Sequence, residues 1–199
     1  MKVLAGVVEI KDLMPTFGLL KRRLIDIIED IEADMAIQAS RTVAEKDMFK
    51  AALNRFSKGR FSKVFRQLMR AKPPSTKGAE TAFFKRRAAL AKIITKARES
   101  EAFEAHLDRL RDENNRRQHA IAQQAENLEP VKAALMTLPK IERLCVAAMK
   151  TGVHQLELPE LDLRDAAPQS TLNQVSILAR ASQAVLKMAR PEDLAQYLK

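Results

Sequence analysis

An all-α fold follows from two features of this chain: glycine is scarce, and apolar residues recur at steps of three and four along most of its length. Only 5 of 199 residues are Gly. That is well below the usual share of about 7%, so few positions can take the φ > 0 that tight hairpins need. Hydrophobic residues make up 46%, enough to build a packed core and too many for wholesale disorder. The expected architecture is a bundle of five to seven helices. One or two of them are long and partly coiled-coil-like, and a short extended arm lies near 153–164.

Residues 1–14 permit either a short strand or a helix, since Val7, Val8 and Ile10 suit both. A helix is expected from Pro15-Thr16, because Leu20, Leu24, Ile27, Ile31 and Met35 make one amphipathic stripe. Asp26, Asp30 and Asp34, with Glu29, form an acidic ridge on another face. Thr42 and Glu45 have capping-box spacing, which predicts a second helix from Val43; the alternative is one long helix bent near Ser40. A break is expected at Ser57-Lys58-Gly59. In 60–71, Phe61, Val64, Phe65, Leu68 and Met69 form an apolar stripe opposite Arg60, Lys63, Arg66 and Arg70.

Two adjacent prolines and a glycine mark residues 73–78 as a linker between 1–72 and 79–199, the whole folding as one compact unit. Without Gly or Pro, 79–127 reads as one long helix. Phe103, Leu107, Leu110, Asn114, Arg117, Ile121, Gln124 and Leu128 follow heptad spacing there, with Asn114 where a buried Asn can fix register. The interrupted seam favours an intramolecular partner. Pro130 is placed to start the next helix, Leu138-Pro139 to separate it from 140–150, and Gly152 to stop the latter.

In 153–164, Leu156 and Leu158, then Leu161 and Leu163, alternate with polar residues on either side of Pro159. Each half reads as extended, which fits a small hairpin or an arm whose four leucines dock on a protein partner. Ser170 or Thr171 would cap a final helix with the stripe Leu172, Val175, Leu178, Ala179, Ser182, Val185 and Leu186. Pro191 begins a last turn in which Leu194, Tyr197 and Leu198 fold back.

The composition excludes several functions. One Cys excludes a disulfide framework and a multi-Cys zinc site. Five scattered glycines make neither a GxxxxGK nor a GxGxxG loop, and three His contain no HExxH. The acidic ridge lacks the ExxH pairs of helical di-metal sites, so no metal or cofactor is expected. Cys145 sits among apolar residues and reads as a buried thiol, not a nucleophile paired with His154. No stretch approaches the roughly 18 apolar residues of a membrane span, and charges at Glu9, Lys11 and Asp12 interrupt any signal-peptide core. These features predict a cytoplasmic protein that is not an enzyme. No stretch carries a motif specific enough to name a family.

Charge is the informative signal. Net charge is +10, and residues 51–120, with 18 basic and 7 acidic side chains, carry all of the excess. Residues 55–98 alone hold 14 basic residues and one acid, Glu80. Such a block calls for a counter-charge. The residues expected to meet it are Arg55, Lys58, Arg60, Lys63, Arg66, Arg70, Lys72, Lys77, Lys85, Arg86, Arg87, Lys92 and Lys96. Six of the eight Phe interleave with these cations. Phe61 and Phe65 share the core stripe, which argues for packing over base stacking, and the same need for a core argues against a membrane-surface role.

The sequence therefore predicts a non-enzymatic helical subunit that binds DNA or RNA through phosphates with little sequence specificity. It would act with protein partners in a larger assembly, and self-assembly is open to it. The composition matches small subunits of nucleoprotein machines by analogy only. The alternative is a structural or adaptor protein, such as a scaffold, secretion or virion component, whose basic face meets an acidic protein surface.

Overall fold

The computed structural model describes residues 3–71 and 77–188, with the side chains of 186–188 excepted. Among these residues the chain forms six helices and one two-stranded antiparallel sheet. The order is β1 (Val3–Glu9), α1 (Ile10–Arg41), α2 (Glu45–Phe56), α3 (Arg60–Met69), α4 (Lys77–Arg98), α5 (Glu101–Lys150), β2 (Gln155–Asp162) and α6 (Pro168–Met188). The all-α expectation holds, with α1 and α5 as the long helices. None of the helices is long and apolar enough to cross a membrane, among the described residues.

Two compact units emerge, and their boundary is not the expected linker. Unit 1 comprises residues 1–37 and 122–199; unit 2 is 38–121, entered along α1 and left along α5. Residues 73–78 fall inside unit 2, because α3 and α4 on either side of them pack against each other. A proline-rich break interrupts a helix, but it separates domains only where the flanking elements bury their apolar faces elsewhere.

Unit 1 is built on the pairing of the chain's first strand with a strand about 150 residues later. Val3, Val7 and Val8 suit an extended backbone. Leu4 pairs with Leu161 and Gly6 with Leu158, so two steps along β1 face three along β2. This bulge resolves the leucine pattern. The extra residue near Pro159 shifts the phase, placing Leu156, Leu158, Leu161 and Leu163 all in the core. The expected hairpin or docking arm is thus one strand paired to β1, and its leucines are unavailable to a partner. Pro159 sits at the irregularity, where a missing N–H disturbs the ladder least. Gly6 takes φ +76°, which a side chain would resist.

The same core takes Ile10, Leu13, Phe17, Leu20, Leu24 and Ile27 from α1. That stripe already runs through Pro15, so α1 starts at Ile10, ahead of the expected Pro15-Thr16. Likewise α5 passes through Pro130 and Pro139, where breaks were expected. A proline in a helix interior costs about 3 kcal/mol. Here Leu128, Val131, Ala134, Leu138, Ile141, Cys145 and Ala148 stay buried in one unbroken phase across both prolines. Burying such side chains is worth about 1.5–3 kcal/mol each, which outweighs two lost backbone bonds.

Gly152, at φ +88°, ends α5 as expected, with the Val153 N–H donated to Ala148 O (3.0 Å) and the Gly152 N–H to Met149 O (3.3 Å). Helix α6 begins at Pro168, upstream of the expected Ser170 or Thr171 cap; Asp165 Oδ1 accepts the Ala167 N–H at 2.9 Å just before it.

Arg23 is buried beneath this connection. It donates to Leu163 O (2.8 Å), Asp165 O (3.1 Å) and Gln174 Oε1 (3.4 Å), while Gln174 Nε2 donates to Asp162 O (2.6 Å) and Asp165 O (2.9 Å). The network ties α1 and α6 to the end of β2.

Unit 2 has the smaller core, made by Met48, Ala52, Leu53, Phe61, Leu90, Ala97, Phe103 and Leu107. The long helix expected over 79–127 divides at Glu99-Ser100, where Ser100 O accepts the Phe103 N–H (3.0 Å) and opens α5. The Thr42–Glu45 capping box does not form. Thr42 Oγ1 donates back to Gln38 O (3.0 Å), and α2 begins at Glu45 with no side-chain cap. Asn114 instead accepts the Val43 N–H on Oδ1 at 2.8 Å. It is buried on the predicted seam, serving a turn inside the chain and not the register of a coiled-coil dimer.

Candidate nucleic-acid interface

The expected contact residues among those described lie at the α2–α3 corner and along α4, all within unit 2. Lys58 (φ +50°) and Gly59 (φ +81°) both adopt the left-handed conformation. For Gly this is free; for Lys58 it costs about 1–2 kcal/mol. The corner is secured locally: Ser57 Oγ accepts the Phe61 N–H (2.8 Å), and Asn54 Oδ1 accepts the Ser62 N–H (3.2 Å). Those bonds occupy amides at the start of α3 that would otherwise attract an anion. Attraction at this corner therefore rests on side chains.

Helix α3 turns Phe61 into the core, with Val64, Phe65 and Leu68 packed beside it. Lys63, Arg66 and Arg70 point the other way and are exposed. Lys58, Gly59, Arg60, Lys63, Val64 and Gln67 line an open groove of about 520 Å³. Helix α4 buries Leu90 and Ala97, with Ile93 and Ile94 packed beside them, and leaves Lys77, Lys85, Arg87, Lys92, Lys96 and Arg98 exposed.

Twelve of the thirteen expected contact residues lie among the described ones; Lys72 lies outside them, as do Pro191, Leu194, Tyr197 and Leu198. Of the twelve, Arg86 is half-buried and the others are exposed. Among the described residues, no ion pair engages any cation of 55–98. Ion pairs form instead on its flanks and in unit 1: Lys50–Asp47 (2.9 Å), Arg111–Glu45 (2.6 Å), Arg117–Glu113 (3.5 Å) and Lys132–Glu32 (2.9 Å). The basic block is a field without internal neutralisation, because Glu80 is its single acid.

Arg98 is an exposed cation left out of the expected set. The aromatic pattern also divides. Phe61 is buried and Phe65 half-buried, as the stripe predicts, but Phe84 is 52% exposed and Phe56 39%. Phe84 lies outside the inward phase of Leu90, Ile93 and Ala97, although its spacing to Ala88, Ala91, Ile94 and Ala97 predicts a shared apolar face.

Asp26, Glu29, Asp30 and Asp34 are exposed along α1, and among the described residues no three His, Cys, Asp or Glu side chains group as metal ligands. Cys145 lies in the core, where burial, and then the Glu142 charge, push its thiol up to about 11. It stays protonated at neutral pH and is a poor nucleophile; His154 is exposed. No protein-family model, curated protein or solved structure matches this chain.

Proposed function

We propose that this protein is a non-enzymatic, basic helical subunit that binds nucleic acid through the phosphate backbone with little sequence preference, within a larger cytoplasmic assembly. One observation carries the reading: no described cation of 55–98 forms an ion pair among the described residues, and nearly all are exposed. Like charges held together without counter-ions repel, which disfavours the compact state. A polyanion relieves that repulsion and releases its own condensed counter-ions on binding.

The cations are spread over α2, α3 and α4, and Gln67 is the lone Asn or Gln among those of 58–72. Contacts to phosphate position a protein without reading bases. The buried, protonated Cys145 suits a reducing compartment.

The test is affinity for two duplexes of equal length and unrelated sequence, titrated with salt. Neutralising about six to eight phosphates gives a slope of log K against log[salt] of about −5 to −7. Lys63→Glu, Arg66→Glu and Arg70→Glu together should abolish binding with helicity intact by circular dichroism. A slope near zero, or a preference of about a hundredfold between the duplexes, overturns the reading; the first result points to an acidic protein as partner.

A further inference from the structure

Between α2 and the start of α5, within unit 2, lies a cleft of about 200 Å³ lined by Ala52, Arg55, Phe56, Ala102, Phe103 and His106. Ligand pockets for drug-sized molecules span about 300–1,000 Å³, so this one suits a single flat ring system. Phe103 forms one wall and is fixed between two edge-on rings, Phe49 (centroids 5.6 Å, 89°) and Phe56 (5.8 Å, 78°). Ala52 is fully buried behind it. Phe56 stands at the lip, partly exposed, although a Phe beside an open core gains by burial. Two alanines keep the cleft open; a larger side chain at either would fill it.

The rim is polar and cationic. Arg55 lines the cleft, and the Lys58 N–H donates to Arg55 O at 3.1 Å, so Lys58 and Arg60 follow within one turn of backbone. None of the three has an ionic partner among the described residues. His106 adds a ring nitrogen able to hydrogen-bond a heterocycle edge. Aromatic walls with phosphate-ready cations beside them are the two components of single-strand binding. In a duplex the base faces are already stacked, and extruding one costs a few kcal/mol.

Resting on the phosphate-binding reading above, we propose that the preferred ligand is a single strand, one base of which packs into this cleft against the exposed Phe56 while Arg55, Lys58 and Arg60 hold the flanking phosphates. Stacking of a base on an aromatic side chain is worth about 1–3 kcal/mol, which is about 5- to 140-fold in affinity.

The experiment uses the full chain and three probes of about a dozen units: an oligothymidylate, an abasic strand of the same length, and a duplex. The wild type should prefer oligothymidylate over the abasic strand by that factor. Ala102→Leu, which fills the cleft from an exposed helical position, and Phe56→Ala should each erase the preference while leaving abasic and duplex binding unchanged. Equal wild-type affinity for the two strands overturns base insertion and leaves phosphate binding standing. So does a preference that survives Ala102→Leu in a protein of unchanged circular dichroism. Failure to bind any of the three probes overturns the phosphate reading itself, and directs attention to an aromatic side chain of an acidic protein.

Discussion

The two units use charge in opposite ways. Unit 1 carries 14 basic and 16 acidic side chains; unit 2 carries 21 and 9 in a shorter stretch of chain. Unit 1 buries an arginine under five hydrogen bonds shared with Gln174, and closes its core over two strands and three helices. Unit 2 leaves the cations of 55–98 without ion pairs among the described residues, over a core of far fewer buried residues. The contrast separates charge spent on architecture from charge held for a partner. A buried arginine with satisfied donors is a structural pin, whereas exposed unpaired cations on a thin core weaken the fold unless something binds them.

The largest effect should come from the bigger core. Phe17 is almost fully buried in unit 1, and Phe17→Ala is expected to cost about 3–5 kcal/mol. Amide exchange in β1, β2 and α6 should accelerate accordingly, with a smaller change in α3 and α4. Equal loss in both units would break the comparison by showing one cooperative block.

Next comes the division between structural and ligand-facing arginines. Arg23→Met strands the carbonyl of Leu163 and Oε1 of Gln174, and leaves Asp165 O with its Gln174 donor alone. Losing charged, buried hydrogen bonds should cost about 3 kcal/mol in urea unfolding, with nucleic-acid affinity unchanged in the folded protein. Reversal of Lys63, Arg66 and Arg70 should do the opposite. Binding fails, while stability moves by at most about 1 kcal/mol, upward, because exposed substitutions are nearly neutral and the self-repulsion falls. If the triple reversal unfolds unit 2, its cations are structural.

The sequence shows the two units unequally. The basic block was plain in it, because charge counts need no folding, and so were the inward stripes of Phe103 to Leu128 and of α3, save for Met69, which is 69% exposed at the end of that helix. What misled were local signals set against longer-range packing. Pro130 and Pro139 look like helix boundaries, yet the apolar phase runs through them unbroken. Thr42 and Glu45 have the right spacing for a capping box, yet Asn114 reaches Val43 from far along the chain. The leucines of β2, with Leu163 just after it, change phase at Pro159, which reads as two segments until β1 supplies the partner strand that makes it a bulge. Strand pairing across about 150 residues leaves no local trace, and neither does the Arg23–Gln174 network. The cleft beside Phe56 was invisible for a related reason: it exists because Ala52 and Ala102 are small, and small residues in helices carry no signal of their own.

A smaller effect sharpens the contrast through salt. Raising ionic strength from about 10 mM to about 1 M shortens the Debye length from about 30 to about 3 Å. Repulsion among the cations of α3 and α4 should fall, and their amides should gain protection by a few tenths to about 1 kcal/mol. The amides of β1 and α6, in the nearly neutral unit, should gain less. A uniform response would mean that the basic block does not strain unit 2.

The smallest effect is an acid response in unit 1. Arg164 donates from Nε and Nη2 to the Asp162 carboxylate at 2.9 and 2.8 Å, and the Arg164 backbone N–H adds a third bond at 2.9 Å. Side-chain bonds first, then the backbone bond, hold the Asp162 carboxyl down to about 2. In the unfolded chain it returns to about 3.9. A depressed folded value means that the carboxylate favours the native state above about pH 4, and that this contribution is lost as pH falls towards 2. The pair is exposed and solvent-screened, so its share is small. Asp162 nevertheless ends β2, and its carbonyl accepts from Gln174 in the network that holds Arg23. Asp162→Asn should therefore lower the urea midpoint of the β1–β2 amides slightly at pH 5. The gap to wild type should narrow as pH falls towards 2 and close below it, where wild type loses the carboxylate too. Arg164→Ala should raise the Asp162 titration midpoint, followed by carboxyl carbon NMR. A gap that stays constant across this range would show that ionisation of Asp162 is not what stabilises the unit, and no gap at all that Asp162 acts through the backbone carbonyl that Asn retains.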